Sequence, residues 1–174
     1  MHSFIFQFSL TPVGEEKYLS EDKVLSRTVE TFGEYSADYV SELKEEKRAE
    51  VIESLVSHWL PSDLFKGNPD GTFTYLGGFD KWLVNFFIPY IQEAAMSLNT
   101  EKATSIGLGS TYEVKKRIEN PLNLSIYIFI TDPQYGKDVV TKPVMKTGKF
   151  MEDFVKFLEP GQKIYIGGVY DYHF

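Results

Sequence analysis

Three histidines, His2, His58 and His173, are the candidates for proton transfer near neutral pH or for metal ligation. None sits in a spacing that would hold an ion by itself. If the terminal strands pair antiparallel, His2 and His173 meet near Asp171, and that trio would be a metal or acid–base cluster. His58 precedes Trp59 on an expected helix and reads as a helix-face histidine. Asp132, at the downstream end of the apolar run Leu122–Thr131, and Asp138 beyond it offer two carboxylates for general acid–base work. Asp132-Pro133 is equally an ordinary turn opening. The glycine-rich stretch from Gly107 to Thr111 presents amides that could wrap an anion, but no lysine follows it and the next element reads as a strand. Cysteine is absent, which excludes disulfides, thiolate zinc sites and cysteine nucleophiles. There is no Walker A loop, nucleophile elbow, HExxH or calcium loop, and no cofactor is expected.

Charge points toward binding rather than catalysis. Residues 15–53 carry 12 acids and 6 bases, whereas residues 54–174 carry 13 acids and 12 bases, within a net charge of −7. An acidic N-terminal arm, 15–61, is therefore expected beside a near-neutral body. A nucleic-acid partner is excluded as the main activity, because phosphate neutralisation needs a basic footprint. Lys137, Lys142, Lys146 and Lys149 give the 132–149 loop a local positive bias, so arm and loop could touch each other or the equivalent surfaces of a second copy. The acids Glu42, Glu45, Glu46, Glu50 and Glu53 are the candidate partner contacts. So are the C-terminal aromatics Tyr170, Tyr172 and Phe174, if their strand lies at an edge.

The elements that must position these residues follow from hydrophobic period. LNLSIYIFIT, 122–131, alternates Leu122, Leu124, Ile126, Ile128 and Ile130 on one face, with Tyr127 and Phe129 on the other, as an inner strand does. MHSFIFQFSL alternates similarly and lacks the positive start of a signal peptide. A helix follows Ser20, with Val24, Leu25, Val29 and Phe32 at helical spacing. Residues 36–60 read as two helices or a kinked one, stopped by Pro61. After the GNPDG turn, TFTYL is a short strand. Residues 80–98 form the most apolar helix, expected to be well buried, with Pro89 kinking or dividing it. Residues 110–118 alternate as a strand and form a hairpin with 122–131. A helix over 148–158 leads to a last strand, QKIYIGGVYDYHF, whose glycine pair suggests a bulge.

The expected fold is a single α+β domain over residues 1–174, sheet-rich from 100 to 174. Its sheet has about five strands and is mainly antiparallel, mixed if the crossover through 148–158 makes the inner and last strands parallel. Helices would pack on one face, with the acidic helical elaboration alongside. No run reaches the roughly 18 apolar residues of a membrane span. The functional expectation is a cytoplasmic, non-catalytic interaction protein of inhibitor or immunity type, with a protein partner or self-association, no nucleic acid and no membrane. The alternative is a small hydrolase working from the carboxylates after the inner strand.

Overall fold

The computed structural model describes residues 2–32, 39–100, 108–132 and 140–173. Alternation in β1 (His2–Ser9) serves two cores at once. Phe6 and Phe8 enter one, Ile5 enters the other, and Ser3, Gln7 and Ser9 are buried too. A strand covered on both faces belongs in the middle of a sheet. β1 pairs parallel with β5 (Ile126–Thr131) and antiparallel with β7 (Lys163–His173).

Among the described residues seven strands make a mixed sheet with the main order β3-β4-β7-β1-β5-β6, where β3 is Phe65–Gly67, β4 Phe73–Tyr75 and β6 Val140–Met145. β2 (Tyr39–Glu42) pairs with the C-terminal half of β7, and β4 with its first residues. Antiparallel pairs dominate, and β1–β5 is the parallel pair. The expected parallel pairing of inner and last strands is corrected, because β1 lies between β5 and β7. The expected count of about five strands is low: it lacks β2, β3 and β6, and it includes a strand over 110–118 that does not form.

Helices cover both faces, not one. α1 (Glu21–Phe32) lays Val24 and Leu25 on the cluster of Ile5, Phe129, Val144, Tyr170 and Tyr172. On the opposite face α2 (Glu45–Ser54) and α6 (Thr147–Asp153) insert Val51, Ile52, Phe150 and Met151 against Phe6, Phe8, Ile128 and Ile164. No separate acidic arm stands apart, since α1 roofs the sheet and β2 extends it. Tyr39–Glu42 is strand rather than helix because β7 offers it an edge, and the Glu42 amide donates to Glu21 Oε1 at 2.7 Å.

Two further readings are overturned. Residues 110–118 are not a strand but lie in helix α5 (Leu108–Glu119), so the hairpin with 122–131 does not form. Glu113–Arg117 and Lys115–Glu119 are ion pairs four residues apart, a helical spacing. The apolar helix begins as α3 (Phe79–Trp82), passes through a wide, π-type turn at Leu83–Phe87 and continues as α4 (Ile88–Thr100). The widened turn makes room for Pro89, which has no N–H and would crowd a regular preceding turn. This helix is not well buried. Val84, Phe86, Ile88 and Met96 are exposed.

The glycine pair does mark a bulge. Register between β1 and β7 slips between Phe6 and Phe8, and Gln7 fills the irregularity. A methyl group on Gly167 would lie 2.8 Å from Gln7 Cδ, and one on Gly168 would run into the Tyr170 hydroxyl. Between the stretches of β7 paired with β4 and β2, the strand edge is served by other groups. The Leu43 amide donates to Val169 O at 2.7 Å, and the Arg48 guanidinium donates to Ile166 O at 3.1 Å and Gly167 O at 2.7 Å.

Candidate functional site

The sequence candidates separate widely in space. Tyr170 and Tyr172 are core residues, since β7 is an inner strand, and the Tyr170 hydroxyl donates to Leu19 O at 2.6 Å. They offer no surface to a partner; Phe174 lies outside the described residues. His2 and His173 do face each other in the β1–β7 register, with Asp171 opposite Phe4. The Tyr39 ring stacks on His173 with centroids 5.4 Å apart. Among the described residues no group of three His, Asp or Glu side chains is placed to hold a metal. His58 is exposed on the turn after α2. Asp132 is half-buried just past β5, while Asp138 and Lys137 lie outside the described residues. The expected 132–149 loop contains β6, whose Lys142 sits opposite Ile130. Gly107 also falls outside, and Gly109, Ser110 and Thr111 belong to the first turns of α5 rather than to a loop.

The five acids lie together at the start of the chain's second layer. Glu45, Glu46, Glu50 and Glu53 are exposed on α2, whose Val51 and Ile52 face the core, and Glu42 is half-buried on β2. Lys44, Lys47 and Arg48 alternate with them, so the local field is weaker than the acid count suggests.

The arrangement that sequence reasoning missed is centred on α5. Arg117 clamps α5 to α4. It donates to Tyr90 O at 2.7 Å, pairs with Glu93 at 2.9 Å and Glu113 at 3.4 Å, and lies 4.3 Å from the Tyr90 ring centroid. At the C-terminal end of α5, Gly148 of α6 comes so close that an added methyl would collide with the carbonyls of Ile118 and Glu119. The Thr147 hydroxyl donates to Asn120 Oδ1 at 2.6 Å across the same junction. The i,i+4 pairs Glu113–Arg117 and Lys115–Glu119 were the signal for this helix.

Two hollows flank the end of α5. The first, about 420 Å³, is lined largely by Phe79, Trp82, Leu83, Phe87, Ile118, Pro121 and Met151, with Lys149, Lys156, Glu119 and Glu152 contributing charge. Beyond it rise the exposed side chains of the wide turn and α4, with Val84 59% and Ile88 41% accessible. Trp82, Phe86 and Tyr90 stack in succession along this helix, at 5.6 and 5.8 Å.

The second hollow is polar, about 530 Å³, and lies between α5 and the start of β5. Tyr112, Lys115 and Lys116 come from α5, Tyr127 from β5 and Lys146 from the residue before α6. Glu119 stands among these lysines, 2.9 Å from Lys146 Nζ and 3.6 Å from Lys115 Nζ. The Lys146 hydrogen bond holds the Glu119 carboxyl below its ordinary range. Burial pushes the Tyr127 phenol up, opposed by the charge of Lys146.

A third groove, about 730 Å³, runs between α2 and the Asn68–Gly71 turn past Arg48. Arg48 is engaged there with the β7 carbonyls, and its guanidinium lies 5.3 Å from the Tyr18 ring centroid. Its Nε is buried without a partner among the described residues. The geometry gives it a structural task, closing the β7 edge. No family model, curated protein or solved structure matches this chain.

Proposed function

We propose that the chain is a non-catalytic interaction protein, of inhibitor or immunity type, that captures a protein partner in the cytoplasm. The observation that carries this reading is the apolar surface of the α3–α5 layer. Val84, Phe86, Ile88 and Met96 stand in water beside a hollow lined by Trp82, Phe87 and Met151. A helix apolar on several faces is ordinarily covered. An aromatic-rich patch with an adjoining apolar pocket has the make-up of a binding hot spot, where an anchor side chain enters a dry cavity. The exposed acids of α2, Glu45, Glu46, Glu50 and Glu53, with Glu42 beside them, supply a second, electrostatic contribution through steering of a basic partner. No helix of the described residues is long and apolar enough to cross a membrane, so the layer is not read as a membrane span.

The test is affinity capture from an extract of the parent cells, with the wild-type chain and a Val84→Ser/Ile88→Ser variant run in parallel. Both positions are exposed, so the variant should melt within a few degrees of wild type. A stoichiometric partner that the variant loses by at least about tenfold supports the reading. Equal capture by both chains, or no partner on the wild type, overturns it.

A further inference from the structure

We propose that the polar cleft between α5 and β5 is a binding site for a small organic phosphate carrying a planar ring, of the nucleoside monophosphate class. The inference is independent of the protein-partner surface and would survive its failure.

The argument begins with charge. The chain is acidic, with a net charge of −7, yet three lysines line this one cleft against a single carboxylate. Lys115 and Lys116 are successive residues of α5, and Lys146 reaches the cleft from the other side, so positive charge comes from two elements. Lys146 and Lys115 both lean on Glu119, and Lys116 makes no ion pair among the described residues. Glu119 therefore offsets one charge of three. A dianionic phosphate entering the cleft meets a net attraction, and lysine serves such a group as a mobile point charge.

Shape and lining narrow the ligand. A volume of about 530 Å³ lies within the range of small-molecule sites and far exceeds what inorganic phosphate fills. Tyr112 and Tyr127 supply aromatic surface for a flat ring, while the Asn120 and Ser125 side chains in the lining are held by bonds to Leu124, Thr147 and Ser3 and keep the wall in place. The Tyr127 ring is fixed from behind by Phe32 at 5.1 Å and Tyr172 at 5.5 Å, so one wall is preorganised. Binding requires no covalent step. The phosphate takes the lysines that now share Glu119.

Isothermal titration of the whole chain with AMP, GMP, CMP and UMP tests this, with adenosine and inorganic phosphate as separate arms. At least one monophosphate should bind more than about tenfold tighter than either fragment. Lys115→Gln/Lys116→Gln, at exposed positions, should weaken that binding by about tenfold or more. Glu119→Gln should tighten it severalfold, because it removes the competing carboxylate. Opposite signs from neighbouring substitutions would not arise from a folding defect. No binding by any monophosphate at millimolar concentration overturns the proposal. Binding unchanged by both substitutions overturns it too.

Discussion

Replacing Gln7 should reveal how much of the sheet depends on one polar side chain. Gln7 is buried, 1% exposed, at the slip in the β1–β7 register. Its Oε1 accepts from the amides of Leu19 and Gly168, both at 3.0 Å. Its Nε2 donates to Lys17 O and to Thr131 Oγ1, both at 3.1 Å. Four segments of chain meet in one amide. In Gln7→Leu the Lys17 carbonyl, near the surface, can turn to water, and Thr131 keeps its bond to Phe8 O at 3.4 Å. The Leu19 and Gly168 amides are left in the core without this acceptor, at about 1–3 kcal/mol each. Added leucine contact offsets part of that, so the expected loss is about 3 kcal/mol. At about 2–4 °C per kcal/mol for a chain of this length, the melting temperature falls by about 6–12 °C. Urea unfolding at pH 7 measures it, with an unchanged m-value confirming that the native state is the same. A loss below about 1 kcal/mol would refute the hub. Gln7→Glu adds a signed check. Burial raises the carboxyl's folded pKa above its unfolded value, so the variant is more stable below that unfolded value and loses stability as pH rises through the folded one. If Gln7→Glu were instead least stable at acid pH relative to wild type, the reasoning would fail.

Three further outcomes follow from the same geometry. Arg48→Met removes the donors that serve Ile166 O and Gly167 O and should cost about 1.5–3 kcal/mol in urea unfolding; a cost under about 0.5 kcal/mol would mean that water serves the β7 edge equally well. Gly148→Ala drives a methyl into the end of α5 and should destabilise by about 1–3 kcal/mol, whereas a neutral result would mean that α6 shifts freely. Asp70 accepts from the Thr72 hydroxyl and from Lys163 Nζ, and these bonds lower its carboxyl from 3.8 to about 2. Its contribution is whole above the unfolded value and is lost as pH falls through the folded one, so NMR titration should find it still ionised at about pH 3; a midpoint near 4 would contradict the clamp.

Strands whose two faces both had to be apolar were legible. β1 and β5 announced themselves through alternation with buried residues on either side, as did the bulge at Gly167-Gly168. Short edge strands were not. β2 has four residues, and only the free edge of β7 makes it a strand rather than part of the helices around it. β6 contains Pro143, which argues against a central strand but is tolerated at the end of the order, where β6 lies. Burial of Tyr170 and Tyr172 depended on whether β7 was inner or outer, which is a matter of topology and not of local pattern.

The failures in the helical layer have a different cause. Residues 112–118 satisfy a period of two in Tyr112, Val114, Lys116 and Ile118, yet Tyr112 and Ile118 are exposed in the folded chain. Among the described residues no strand buries that face, and the charges pair at helical spacing instead. The helix over 80–98 satisfies the pattern of a buried helix, yet Val84 and Ile88, one turn apart, remain in water. In both cases the local pattern specifies coverage that the chain's own sheet does not provide. Such a conflict between levels is destabilising for an isolated chain and is characteristic of sites that serve a task outside the fold. The sheet shows the opposite behaviour. Gln7 is hydrogen-bonded through both amide atoms, and the bulge carbonyls have Arg48. The proposed partner and ligand sites both lie on α3–α5 and the clefts beside them, where the apolar pattern of the described residues stands in water.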